Sequence, residues 1–97
     1  MIDAERIFKV GSRNVHVRVR IYATNYGVER ALQKPYHGLC IDHENGSFTM
    51  TMSRKAAENG ISDHEMQHLI DWSGIKQREK RAELAQQVGP WIRSLIQ

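Results

Sequence analysis

The sequence predicts an α+β domain: two antiparallel β-hairpins forming a small sheet, helices packed on one face of it, and a helical C-terminal half. Three features carry that expectation. Val15, Val17, Val19 and Ile21 alternate with His16, Arg18, Arg20 and Tyr22, the period of two of a half-buried strand. A second alternating region is split by His43-Glu44-Asn45-Gly46, and Asn-Gly is the strongest short hairpin signal. From Arg54 onward the apolar spacing changes to three and four, the helical period. Strands and helices in separate blocks point to α+β rather than to a doubly wound parallel sheet.

The elements follow in order. Arg6 to Val10 reads as the first hairpin arm, Gly11-Ser12-Arg13-Asn14 as its turn, and Val15 to Tyr22 as the return arm. The aliphatic set faces a core, leaving the other set to solvent or a partner. Asn25 is read as the N-cap of a short helix with Val28, Ala31 and Leu32 on one face, ended by Pro35. Leu39–Asp42 and Ser47–Ser53 form the second hairpin, with Phe48, Met50 and Met52 on its dry side. Lys55 to Asn59 is a short helical turn with Gly60 at its C′ position. Ser62-Asp63-His64-Glu65 has the form of a capping box, with Ser62 as N-cap and Glu65 at N3. Met66, Leu69 and Ile70 give that helix its apolar face, and Gly74 closes it. Lys76 to Val88 reads as a charged helix with a thin edge of Ala82, Ala85 and Val88. Gly89-Pro90 then restarts the chain, with Pro90 at N1 of a last helix docked by Trp91, Ile92, Leu95 and Ile96.

At 97 residues the chain suits a single small domain over 1–97. Hydrophobic residues are 40% and charged residues 26%, which argues against a disordered or low-complexity chain. No apolar run approaches the roughly 18 residues of a membrane span, so no membrane association is expected. The single cysteine, Cys40, cannot form an internal disulfide, and Met1 to Arg6 lacks the apolar run of a secretory leader. A cytoplasmic location is the expectation.

One motif has chemical content. His64-Glu65-Met66-Gln67-His68 has the form HExxH, which sets two imidazoles four residues apart on one helical face, with a carboxylate beside the first. Over these residues the chain resembles the zinc metallopeptidases of the zincin type. That resemblance implies His64 and His68 as zinc ligands and Glu65 as general base. The pattern departs from the family's at Asp63, in the short helix before the motif, and in the absence of a glycine-histidine continuation. Asp71 is seven residues from His64, about 10 Å along a helix, too far to complete a site with bonds near 2 Å. Glu79, Glu83, His43 and His37 are the alternatives for a third ligand. The same letters also describe a capped amphipathic helix. His37, Cys40 and His43 have no standard zinc spacing, and Cys40 reads as a packed thiol.

The other candidate is the stripe His16, Arg18, Arg20 and Tyr22, with Arg13 at its base. On a strand these side chains project to one side at about 6.6 to 6.8 Å intervals. Arginine forks suit phosphate or carboxylate, and tyrosine offers a stacking face. The net charge of +3 permits an anionic partner without requiring one. The Lys76 to Arg81 group reads as a solvated helix face relieved by Glu79 and Glu83.

Two functions are therefore expected to compete. In the preferred one, the chain is a small interaction protein without a cofactor, in the general style of single-domain accessory proteins of bacteria and their phages. It would bind nucleic acid, or an acidic surface of a larger protein or nucleoprotein complex, and inhibit or modulate by occlusion. In the alternative it is a minimal zinc-dependent hydrolase using His64, Glu65 and His68.

Overall fold

A computed structural model describes residues 1–58 and 62–97, with side chains from 64 onward in the second segment. The chain is α+β. Strands β1 (Ile2–Val10) and β2 (Arg13–Tyr22) form the first hairpin, and helix α1 (Asn25–Leu32) follows. Strands β3 (Gly38–Asp42) and β4 (Ser47–Ser53) form the second, and α2 (Arg54–Glu58), α3 (Ser62–Trp72) and α4 (Arg78–Leu95) complete the chain. The hairpins share one four-stranded sheet in the order β1-β2-β4-β3. They are joined by a parallel pairing of β2 with β4, so the sheet is mixed.

The period-two pattern of β2 fixes which side faces in. Val15, Val17, Val19 and Ile21 are each at most 2% exposed. With Phe8, Val10, Cys40, Phe48, Met50 and Met52 they floor one core cluster, roofed by Leu69, Leu84, Val88 and Ile92 from the helices. Burying each such side chain contributes roughly 1.5–3 kcal/mol, so this layer outweighs any single local preference.

Several local expectations are corrected. β1 starts at Ile2, four residues before the expected Arg6, because Asp3 and Glu5 find cross-strand partners on β2. The first turn is tighter than expected, since β2 already begins at Arg13 and Gly11 supplies a positive φ of 61°. Thr24, not Asn25, caps α1, its hydroxyl accepting from Gly27 N at 3.0 Å. The helix ends at Leu32, with Gln33 left-handed, before Pro35 acts. The second turn keeps the expected connection, His43 to Gly46, with positive φ at Glu44 and Gly46. The Gly60 and Ser62 capping expectations lie outside the described residues and side chains.

The largest difference is α4. A break at Gly89-Pro90 was the sequence expectation, yet one helix runs through Pro90. Leu84, Val88, Ile92 and Ile96 follow one another at intervals of four and are all buried, a continuous stripe on the sheet. Proline inside a helix costs about 3 kcal/mol. Four buried aliphatic side chains contribute more than that. The carbonyl that Pro90 leaves unbonded is that of Gln86, an exposed residue, where water can satisfy it. Trp91 meets Phe8 edge-on at 5.4 Å, which docks the C-terminal turns as the apolar residues Trp91, Ile92, Leu95 and Ile96 imply.

The second face of the sheet is only partly covered. α1 packs against β2 and β4. Gly27 lies against the Tyr22 side chain, and Val28 is fully buried outside the main core cluster. Thr51 and Ser53, which share that face, are buried as well. The half bearing Glu5, Ile7, His16 and Arg18 is open. No helix among the described residues is long and apolar enough to cross a membrane.

Candidate functional site

The open half of the second sheet face is set by register. β1 and β2 pair antiparallel with Asp3 opposite Arg20, Glu5 opposite Arg18, and Ile7 opposite His16. β2 and β4 run parallel with Arg18 beside Thr49 and His16 beside Ser47. An acidic row on β1 therefore stands against a basic row on β2. Ile7, 62% exposed, and Ile41, 42% exposed, border it on either side.

The expected stripe does project away from the core, but it is not a free cationic surface. Arg18 donates to both carboxylate oxygens of Asp3, Nε at 2.9 Å and Nη2 at 2.6 Å, and Nε lies 3.9 Å from Glu5. His16 Nε2 is 3.2 Å from Glu5 Oε2. Arg20 reaches Asp3 at 4.0 Å, and its guanidinium lies over the Tyr22 ring at 5.9 Å. The Arg20 Nε is buried without a hydrogen-bond partner. The hydrogen bond from Arg18 holds the Asp3 carboxyl below the usual carboxylate range, and the same pairing raises Arg18. Two carboxylates thus answer two guanidinia across adjacent strands. Reading the first strand from Arg6 hid this: extending it to Ile2 and closing the turn at Gly11-Ser12 would have placed Asp3 and Glu5 beside the arginines.

A shallow depression of about 170 Å³ opens on this face among Glu5, His16, Arg18, His43, Ser47 and Thr49. His43 is tied to Thr49 by a 2.8 Å hydrogen bond. Arg13 is set apart from the stripe. It lies at the β1–β2 turn and donates from Nη1 to the Ser73 carbonyl at 3.3 Å.

The HExxH residues meet in part. His64 and His68 face each other with Nε2 atoms 3.1 Å apart, one ring donating and the other accepting. Two nitrogens on one tetrahedral zinc would stand about 3.3 Å apart, so the pair itself fits. His68 also stacks on Trp72 at 4.6 Å. Glu65 lies along β3, its Cγ 3.3 Å from where a Cβ on Gly38 would sit. Among the described residues no three His, Cys, Asp or Glu side chains are grouped to hold a metal, so the pair has no third ligand there. His37 instead pairs with Glu29 at 3.0 Å, and Asp71 is held by Arg81 and Gln67, which lower its pKa in that order of strength. Cys40 is buried, the packed thiol that was expected, while Ile41 beside it is exposed. Burial, with the negative charges of Glu65 and Asp42, pushes its thiol up to about 12, which leaves no nucleophilic thiolate at neutral pH.

In comparisons with known proteins, no family model, no curated protein and no solved structure matches this chain.

Proposed function

We propose that this chain is a small interaction protein that docks onto a larger protein assembly through the open half of its second sheet face, and inhibits or modulates by covering the surface it occupies. The observation that carries this reading is the paired pattern on that face: Asp3 and Glu5 beside Arg18 and His16, bordered by exposed Ile7 and Ile41. Of the two anionic partners that the arginine stripe suits, this pattern favours protein. A phosphate backbone laid along β2 would pass over Asp3 and Glu5 and would compete for a fork already filled by Asp3. A protein surface can offer carboxylates to Arg18 and His16, basic groups to Asp3 and Glu5, and aliphatic side chains to the two isoleucines. Such mixed complementarity gives specificity and register.

The test is affinity capture from the native host with the wild-type chain, with Arg18→Ala plus Arg20→Ala, with Ile41→Asp, and with Lys34→Glu, exposed just after α1, as control. One protein partner retained by wild type and control but lost from both face variants is the expected result. Capture that survives all substitutions overturns the reading. Capture that disappears with nuclease and falls steeply with salt replaces the protein partner with nucleic acid.

A further inference from the structure

We propose that the cleft between the β1–β2 turn and the α3–α4 connection binds a phosphoryl group through Arg13, Lys76 and Lys80. This site lies outside the open sheet face, and the inference does not depend on the docking reading. The fold brings together residues more than sixty positions apart. They surround a depression of about 280 Å³ whose rim includes Gly11, Ser12, Arg13, Lys76, Gln77 and Lys80. No aspartate or glutamate lines it, in contrast to the charge-balanced sheet face. Its remaining lining includes the buried Val10 and Ile75, so the cations stand around a partly apolar base.

Each cation is placed by the fold. Arg13 Nη1 donates to the Ser73 carbonyl at 3.3 Å, which fixes the guanidinium and leaves its other donors for a ligand. That approach requires Gly74. Its φ is +81°, and a Cβ there would stand 2.8 Å from Arg13 Nη1. The Lys80 stem lies along Gly11, with Cε 3.8 Å from that residue's Cβ position. Its ammonium is 3.6 Å from Glu83, an exposed pair of the kind that exchanges readily. Lys76 and Arg13 have no ion-pair partner among the described residues. Gln77 starts α4 without a side-chain cap and lines the cleft with Lys80 of the first turn, so the positive end of an 18-residue helix lies beside it. The acidic residue of that turn, Glu79, does not line the cleft. Three cations with a fork among them match a phosphate dianion or pyrophosphate better than a single carboxylate.

The experiment is a titration of the amide NMR spectrum at constant ionic strength with inorganic phosphate, pyrophosphate and acetate. Two further arms use a single-stranded oligonucleotide with and without a 5′-phosphate. Saturable shifts at Gly11, Ser12 and Lys80 are expected, with pyrophosphate at least tenfold tighter than acetate. Lys76→Ala plus Lys80→Ala weakens pyrophosphate at least tenfold, Arg13→Ala several-fold, and Arg18→Ala not at all. Preference for the 5′-phosphorylated strand over its unmodified twin assigns the phosphoryl group to a nucleic-acid end. Binding of the inorganic ions alone assigns it to a small phosphorylated molecule, and either supports the site. Shifts that rise linearly, that acetate reproduces, or that survive the double lysine substitution overturn it. The lysines are surface residues, so a folding failure of Arg13→Ala leaves the test decisive.

Discussion

Gly74→Ala probes the backbone that holds Arg13, and its cost can be worked from two separable causes. At φ +81° an L-residue costs roughly 1–2 kcal/mol relative to glycine. The new Cβ would also stand 2.8 Å from Arg13 Nη1 and 3.0 Å from Cζ. The arginine tip is the movable partner, so it leaves, and its hydrogen bond to the Ser73 carbonyl goes with it, about 1 kcal/mol more. The expected loss is about 2–3 kcal/mol. For a chain of this length each kcal/mol lowers Tm by about 4–8 °C, so a drop of about 8–24 °C is expected. Urea unfolding followed by circular dichroism measures it in two backgrounds. In Arg13→Ala the collision and the hydrogen bond are already gone, and Gly74→Ala then costs only the backbone part, about 1–2 kcal/mol. Equal costs in both backgrounds would refute the contact between Arg13 and Gly74. No cost in either would refute the left-handed backbone itself.

Other consequences follow from the same residues. The Asp3 carboxyl, held low by Arg18, contributes stability that is complete at neutral pH and is lost as pH falls through and below the usual aspartate value of about 3.9. Carboxyl NMR titration should show Asp3 returning to the ordinary range in Arg18→Ala, and an unchanged midpoint would mean that the pair does not form in solution. Cys40, with its thiol raised to about 12, should resist alkylation at pH 8 until the chain unfolds. Its linkage has the opposite sense to that of Asp3: the unfolded thiol ionises from about pH 8.5, so stability attributable to Cys40 falls above that pH. Rapid labelling of the folded chain would contradict the burial. Metal analysis addresses His64 and His68. Natively purified protein should carry well below one equivalent of zinc, with His68→Ala leaving the metal content unchanged. One tightly held equivalent that disappears in His68→Ala would favour the hydrolase instead.

Local pattern was enough for much of the architecture. The alternation of Val15 to Tyr22 fixed which side of β2 is buried, because a one-residue slip would turn every side chain over. The spacing of Met66, Leu69 and Ile70 fixed the buried side of α3 in the same way. Cys40 was legible as a packed thiol from the ordinary burial of free cysteines rather than from alternation. Arg13 was legible as a candidate cation, but its grouping with Lys76 and Lys80 was not, since it depends on a turn and a helix start that meet only after the sheet and α4 dock. The same holds for the charge balance of the open face. His16, Arg18 and Arg20 look basic when read along one strand, and they are answered by Asp3 and Glu5 only across the β1–β2 register. The unbroken run of α4 through Pro90 likewise needed the sheet, since a proline preference of about 3 kcal/mol yields only when a buried stripe from Leu84 to Ile96 outweighs it. Periodicity within one segment records which face a residue takes, because that is a property of backbone geometry. Which charges meet across segments depends on distances between elements, and those exist only once the core has closed.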